Sequence, residues 1–198
     1  MIAAIVLAAG ASSRMGRQKL TLPMLDGRPV VRAAVEQVLA AGLDDTVVVL
    51  GADAESVAAA LAPLPVRTVV NPRFAAGQST SLRAGLDALR PGTEAVVVAL
   101  GDQPRPDPGV IRRLVTAFRT TGRPIAVPVY RDGRGNPVLF GAPLFEELRA
   151  VTGDRGGRAV IGRDPGRVAE VPVDAPMPAD IDTPQDYGAA REPESTGA

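Results

Sequence analysis

The 198-residue chain contains no cysteine, no histidine and no tryptophan, and aromatic residues make up only 3% of it. Without cysteine there is no disulfide framework, no thiolate metal site and no cysteine nucleophile. Without histidine, Ser-His-Asp hydrolysis, a histidine general base and histidine-ligated zinc are excluded. Any metal must be held by oxygen, which makes Mg²⁺ or a similar hard ion the default. Lysine is nearly absent too. Of the 22 basic residues, all but Lys19 are arginine. Such a lysine marks a place where a compact ammonium is needed and a planar guanidinium fails, unless it is a chance survivor. Charge of one sign is also missing, because 22 acidic residues balance the 22 basic ones. That balance gives no electrostatic case for nucleic acid or a membrane surface as partner. No stretch approaches the roughly 20 apolar residues of a spanning helix. The apolar run from Met1 to Ala9 lacks the basic region of a signal peptide. The expected location is the cytoplasm.

What is present alternates between strand and helix. Apolar, β-branched runs predict strands at 2–7, 46–50, 66–70, 95–100, 125–129, 137–140 and 168–173. Helical patterns predict helices at 29–41, 54–61, 79–89, 108–119, 143–151, 158–161 and 184–190, with Ser79 expected to cap the third. The strands are continuous apolar runs, as in a mostly parallel sheet covered on both faces by helices. This predicts an α/β fold of three layers, α/β/α, in one domain over residues 1–191, with a disordered polar tail at 192–198. Residues 131–182 hold more glycine and proline and are expected to pack as a substrate-facing lobe over the carboxyl end of the sheet. Ligands of open α/β sheets bind outside the carboxyl ends of the strands. The loops there are therefore the ones to read.

The first runs from Ala8 through Ala9, Gly10 and Arg14 to Lys19. Its small residues let backbone amides approach phosphate oxygens, and Arg14 and Lys19 add positive charge on an exposed loop. It matches neither the P-loop nor the dinucleotide fingerprint, and a Gly-rich turn with surface arginine remains open. The second loop carries Asn71, Gln78, Ser79 and Ser81, side chains able to read a base edge or ribose; simple capping of the following helix is the alternative. In the third, Asp102 directly follows the most apolar strand, where it could hold Mg²⁺, cap a helix or form an Asx turn. In the fourth, Asp180 and Asp182 precede a helix. Asp182 or Thr183 could be its cap, or Asp182 could fold back beside Asp102 to make an oxygen-only metal site.

Six blocks in order then carry a resemblance from Ile2 to Tyr187: LAAGASSRMGRQKL, NPRFAAGQSTSLRAGL, LGDQP, RGNPVLF, GDRGGRAVI and DIDTPQDY. Together they resemble the nucleotidyltransferases related to the molybdenum-cofactor cytidylyl- and guanylyltransferases. The resemblance implies a nucleotide-diphospho-sugar transferase-like fold, with residues 1–107 as the nucleotide-binding part and 108–191 as the acceptor-facing part. It also implies transfer of a nucleoside monophosphate from an NTP to a phosphorylated acceptor, with release of pyrophosphate. It assigns Ala8, Ala9 and Gly10 to the nucleotide and Arg14 and Lys19 to its triphosphate. Gln78, Ser79 and Ser81 go to base or ribose, and Asp102 and Asp182 to Mg²⁺. Arg14, Lys19 and Asp102 are then the catalytic set. The Ala-Ala-Gly opening favours the cytidylyl branch and hence CTP. Asn136 departs from that branch, where histidine is usual, and this bears on the acceptor. Arg134, Asn136, Arg155 and Arg158 are the candidates to bind it, with solvated surface arginine as the alternative. The implied partners are CTP, a phosphorylated acceptor of molybdopterin type and, transiently, a molybdoenzyme. Other readings are a sugar- or polyol-phosphate nucleotidyltransferase, a non-catalytic nucleotide- or cofactor-binding protein and, least supported, a dehydrogenase.

Overall fold

The computed structural model describes residues 1–12 and 15–191. Arg14 and the expected disordered tail at 192–198 therefore lie outside the described residues.

The elements follow the predicted alternation: β1 (Ile2–Ala8), α1 (Val30–Leu39), β2 (Asp45–Leu50), α2 (Ala54–Leu61), β3 (Arg67–Val70), α3 (Gln78–Asp87), β4 (Ala95–Leu100) and α4 (Pro108–Thr121). They continue with β5 (Ile125–Tyr130), β6 (Gly133–Arg134), β7 (Val138–Gly141), α5 (Phe145–Arg149), α6 (Arg158–Ile161), β8 (Val168–Pro172) and α7 (Pro184–Ala190). All eight strands join one sheet, in the order β3-β2-β1-β4-β7-β5-β6, with β8 on β5. The first four strands run parallel. β7 enters antiparallel between β4 and β5, and β8 pairs parallel to β5.

Strand periodicity divides the core in two. On one face Ala4, Val6 and Val97 pack with Val31 and Val35 of α1, Val57 of α2, and Ile111 and Leu114 of α4. On the other, Ile5, Val49 and Val96 pack with Leu82 and Leu86 of α3, Leu148 of α5 and Val160 of α6. Burying each such side chain stabilises the fold by about 1.5–3 kcal/mol. Those two clusters are the interfaces of a three-layer α/β/α sandwich.

Three expectations need correction. β3 is not buried on both faces: its residues alternate between half-buried and exposed, and Val70 is 55% exposed, because β3 is the edge strand. Residues 131–182 do not all pack as a lobe over the carboxyl end of the sheet. β7 and β8 extend the same sheet, because their apolar residues complete its two cores. Ser79 is not the cap of α3. The helix begins one residue earlier, with Gly77 as its N-cap, and Ser79 is buried in the first turn.

The edge strand is tied down by charge. Asp45 at the start of β2 is nearly buried and is bonded by the Arg67 guanidinium of β3. That hydrogen bond holds the Asp45 carboxyl below its ordinary range, against the opposing effect of burial; the charges of Arg67 and Arg90 add to the lowering. Asp45→Asn is expected to cost about 1–2 kcal/mol in urea unfolding at neutral pH. A lowered folded pKa stabilises above the unfolded value. The difference between wild type and variant should therefore shrink as pH falls through the folded pKa.

Candidate active site

The ends of β1 and β4 and the start of α3 surround a cavity of about 580 Å³. Its floor is the first loop, where Leu7, Ala8, Ala9, Gly10, Ala11 and Ser12 all line the space. The loop is held by its own polar side chains. Ser12 donates to Gln18 Oε1 at 2.9 Å and accepts from the Lys19 amide at 3.1 Å, while the Gln18 amide donates to the Ala52 carbonyl at 3.2 Å. Chain and side chain are thereby turned so that Lys19 points inward. The expectation of an exposed loop lysine is wrong: Lys19 is only 8% exposed.

Lys19 Nζ donates to Asp102 Oδ2 at 2.6 Å and to Asp182 Oδ1 at 2.9 Å. Burial by itself would lower the lysine pKa; the carboxylates of Asp102 and Asp182 outweigh it and raise the pKa above the ordinary value. Asp102 is placed by the turn that follows β4. Asp182 is brought in by a return of the chain over residues 173–182, pinned where the Ile181 amide donates to the Asp102 carbonyl at 3.0 Å and Gln103 to the Pro178 carbonyl at 3.2 Å. Thr183, not Asp182, caps α7, in a reciprocal pair with Asp186. The Tyr187 hydroxyl fastens α7 to the Pro23 carbonyl at 2.5 Å. With the capping done by its neighbour, the Asp182 carboxylate turns to Lys19.

Asp180 lies in the same segment. Partial loss of water and then the negative charge of Asp102 raise its carboxyl pKa, with Asp182 adding and Gln103 and Lys19 opposing. Among the described residues no group of three or more acidic, His or Cys side chains is arranged to hold a metal. Asp102 and Asp182 meet at one ammonium, each accepting a hydrogen bond from Lys19 Nζ.

A second cavity of about 250 Å³ shares Leu7, Gln78, Leu100, Asp102, Asp154 and Asp182 with the first, so the two form one cleft. Leu82, Val98, Val138, Phe140 and Ile161 give it an apolar wall, and Asn136 and Arg158 stand at its side. Asn136 is held there through its carbonyl, which accepts from the Tyr130 hydroxyl at 2.8 Å; burial pushes that phenol up to about 12.

The sequence-derived set is thus only partly assembled in the cleft. Ala8, Ala9, Gly10, Lys19, Gln78, Ser81, Asp102, Asp182, Asn136 and Arg158 line it. Asn71 and Ser79 are buried behind its wall. Asn71 donates to Thr80 at 2.8 Å and to Ser81 at 3.0 Å, so it braces the helix that carries the wall. Arg134 pairs with Glu170, because β6 and β8 flank β5 and set its Nε 2.9 Å from that carboxylate; it also lines a third cavity, of about 230 Å³, together with Asn136 and Arg158. Arg155 is exposed on a turn outside the lining of either cavity. Asp154 and Phe74 were missed, and Asp180 was read in the fourth loop without a role. Asp154 reads in the sequence as a turn residue between glycines, and nothing local connects it to Gln78.

Comparisons with known proteins agree with this architecture. The family described as the MobA-like NTP transferase domain matches residues 4–169. The nicotine blue oxidoreductase of Paenarthrobacter nicotinovorans is 34% identical over 191 residues, 92% of each chain. The 2-C-methyl-D-erythritol 4-phosphate cytidylyltransferase of Nocardia farcinica is 35% identical over 182 residues, 87% of this chain and 76% of its own. Among solved structures, Rv0371c of Mycobacterium tuberculosis superposes with a TM-score of 0.85 at 36% identity, covering 96% of this chain and 97% of that one. Rv0371c has also been crystallised as a complex with manganese.

Proposed function

The chain belongs to the MobA-like NTP transferase family, and from that premise we propose that it is a divalent-metal-dependent nucleotidyltransferase. It takes CTP in preference to other NTPs and transfers CMP to a phosphorylated acceptor of molybdopterin type. The observation that carries this reading is the meeting of Lys19, Asp102 and Asp182 where the two cavities join. A charge-neutralising centre at that point serves a reaction between ligands on either side.

In the proposed reaction an oxygen of the acceptor phosphate forms a bond to the α-phosphorus. The bond from that phosphorus to the bridging oxygen breaks, and pyrophosphate leaves with the electron pair. The attacking oxygen is already anionic, so no proton need be removed and a chain without histidine suffices. The protein has to align the two phosphates and offset their charge. Backbone atoms of Ala8, Ala9 and Gly10 approach the triphosphate, with Arg14 assigned there too. Gln78 and Ser81 face base or ribose. Asn136 and Arg158 receive the acceptor.

The metal ion would be held by Asp102 and Asp182. The fit is physical: a cationic group already sits between these carboxylates, and Mg²⁺ characteristically takes one or two carboxylates and completes its shell with phosphate oxygens and water. When bound, the ion neutralises charge on the triphosphate. Lys19, whose ammonium lies between the same carboxylates, would add positive charge beside the triphosphate.

CTP is favoured because the Ala-Ala-Gly opening resembles the cytidylyl branch, and because a 35% identical relative is named a cytidylyltransferase. The 4-phosphate in that relative's name keeps a polyol-phosphate acceptor as the alternative. A redox reaction is a second reading, resting on the relative named an oxidoreductase.

A thermal-shift panel of four NTPs, each with and without Mg²⁺, tests nucleotide and metal together. Ligand at 100 times its Kd stabilises by about 2.7 kcal/mol. CTP with Mg²⁺ should give the largest rise. Equal shifts with GTP would overturn the base preference, and no shift with any NTP would overturn the nucleotide reading. Pyrophosphate release from CTP with a molybdopterin acceptor tests the transfer itself.

A further inference from the structure

Two distant segments interlock at the start of α3. The helix begins at Gln78, and its N-cap Gly77 has no side chain to offer the first-turn amides. Asp154, on the turn at 153–155, supplies the missing acceptor: its Oδ1 accepts from the Gln78 amide at 3.2 Å. Two residues on, Gly156 stands at φ +49°, where a Cβ would come within 2.3 Å of Gln78 Oε1. Gly77, at φ +106°, packs as closely, since a Cβ there would lie 2.8 Å from the Gly153 carbonyl carbon. The main chain of Gln78 is therefore held by Asp154, and its carboxamide rests against the bare backbone of Gly156. Both holding residues come from beyond β7, while Gln78 belongs to the part that surrounds the nucleotide cavity.

We propose that Asp154 and Gly156 are positioning residues that set the base preference of the nucleotide cavity by fixing the Gln78 carboxamide. The inference rests on the reading of Gln78 as a contact to base or ribose. A glutamine amide carries an acceptor on one side and donors on the other. Resting against the Gly156 backbone on a main chain held by Asp154, the carboxamide is placed before a base arrives, and it loses less side-chain entropy on binding. A methyl group at residue 156 would occupy the space where the carboxamide now lies and push it out of place. Loss of the Asp154 carboxylate would release the chain from which the side chain springs.

The test is isothermal titration with CTP, GTP, ATP and UTP, in Mg²⁺ and without acceptor. The proteins are the wild type, Gln78→Ala, Gly156→Ala, Asp154→Ala, Asp154→Asn and the double variant Gln78→Ala/Gly156→Ala. Gln78→Ala should lower the ratio between the tightest and weakest nucleotide by about threefold to tenfold, the worth of one hydrogen bond. Gly156→Ala and Asp154→Ala should each lower the same ratio by a similar factor. Asp154→Asn retains an acceptor oxygen and should restore it. Gly156→Ala should add nothing in a Gln78→Ala background, because both act through one amide. A role confined to holding the loop would instead lower the melting temperature and weaken all four nucleotides alike; an unchanged ratio in both loop variants overturns the proposal. If Gln78→Ala lowers the ratio and the loop variants do not, the role of Gln78 survives and the positioning role fails. A ratio unmoved by Gln78→Ala, or a wild type that binds all four nucleotides alike, removes Gln78 from base recognition and the proposal with it.

Discussion

Lys19→Ala is expected to lower pyrophosphate release by at least about two to three orders of magnitude, the scale set by deleting one charge-stabilising donor from a preorganised site. It should also lower stability, as a lysine on an exposed loop would not. The ammonium is buried between two carboxylates whose side chains are only 24% and 31% exposed, and its loss leaves like charges facing each other. Breaking a buried pair costs about 3–5 kcal/mol, and partial exposure of the acids reduces that to about 1–2 kcal/mol. For a chain of this length that is a fall in melting temperature of a few degrees, on the order of 2–4 °C per kcal/mol. Lys19→Arg keeps the charge and separates it from shape. The planar guanidinium does not fit between two carboxylates placed for an ammonium, so turnover should stay low while part of the stability returns. Wild-type pyrophosphate release by Lys19→Ala would remove this residue from the mechanism.

Asp102→Asn and Asp182→Asn are each expected to remove Mg²⁺-dependent turnover, by a factor comparable with that of Lys19→Ala. The double variant should be no worse than the worse single one, because both carboxylates act through one cation. Additive losses would mean two independent roles. The asparagines preserve size and one acceptor oxygen, so the bonds from Lys19 need not be abandoned, and melting temperatures should change less than in Lys19→Ala. A full loss of turnover in Asp102→Asn with none in Asp182→Asn would return Asp182 to a role in pinning the chain segment before α7.

How far the sequence reached depended on how local each signal was. Ala54–Leu61, Ala95–Leu100, Arg158–Ile161 and Pro184–Ala190 were readable to the residue. Each is bounded by a proline, a glycine or a change of hydrophobic period. β3 was misjudged because its position at the sheet edge is decided by strand order, and Thr68 and Val70 carry β-branched side chains that look the same on an edge as in a core. The capping of α3 was misassigned because Ser79 has the better side chain, yet the acceptor comes from Asp154 across the cleft.

The same divide runs through the site. Asp102 announces itself, a carboxylate directly after a buried apolar strand. Its partnership with Asp182 does not, since 80 residues separate them and only the return of the chain over 173–182 brings them to one ammonium. Six blocks of resemblance pointed to the pair where spacing alone could not. The burial of Lys19 has the same cause: the carboxylates that cover it come from β4 and from the segment before α7. Arg134 pairs with Glu170 of β8, a partner that nothing in its own loop announces.

The measurement that bears most directly on a shared metal centre is Mn²⁺ binding, followed by electron paramagnetic resonance, with CTP present and acceptor absent. It needs no knowledge of the acceptor and reads the metal rather than turnover. The wild type is expected to bind one Mn²⁺ per chain in the presence of CTP, and Asp102→Asn and Asp182→Asn should each weaken that binding at least about tenfold, the equivalent of 1.4 kcal/mol. Mn²⁺ bound with wild-type affinity by both variants would contradict the account, for the ion would then be held by something other than the two carboxylates that meet at Lys19.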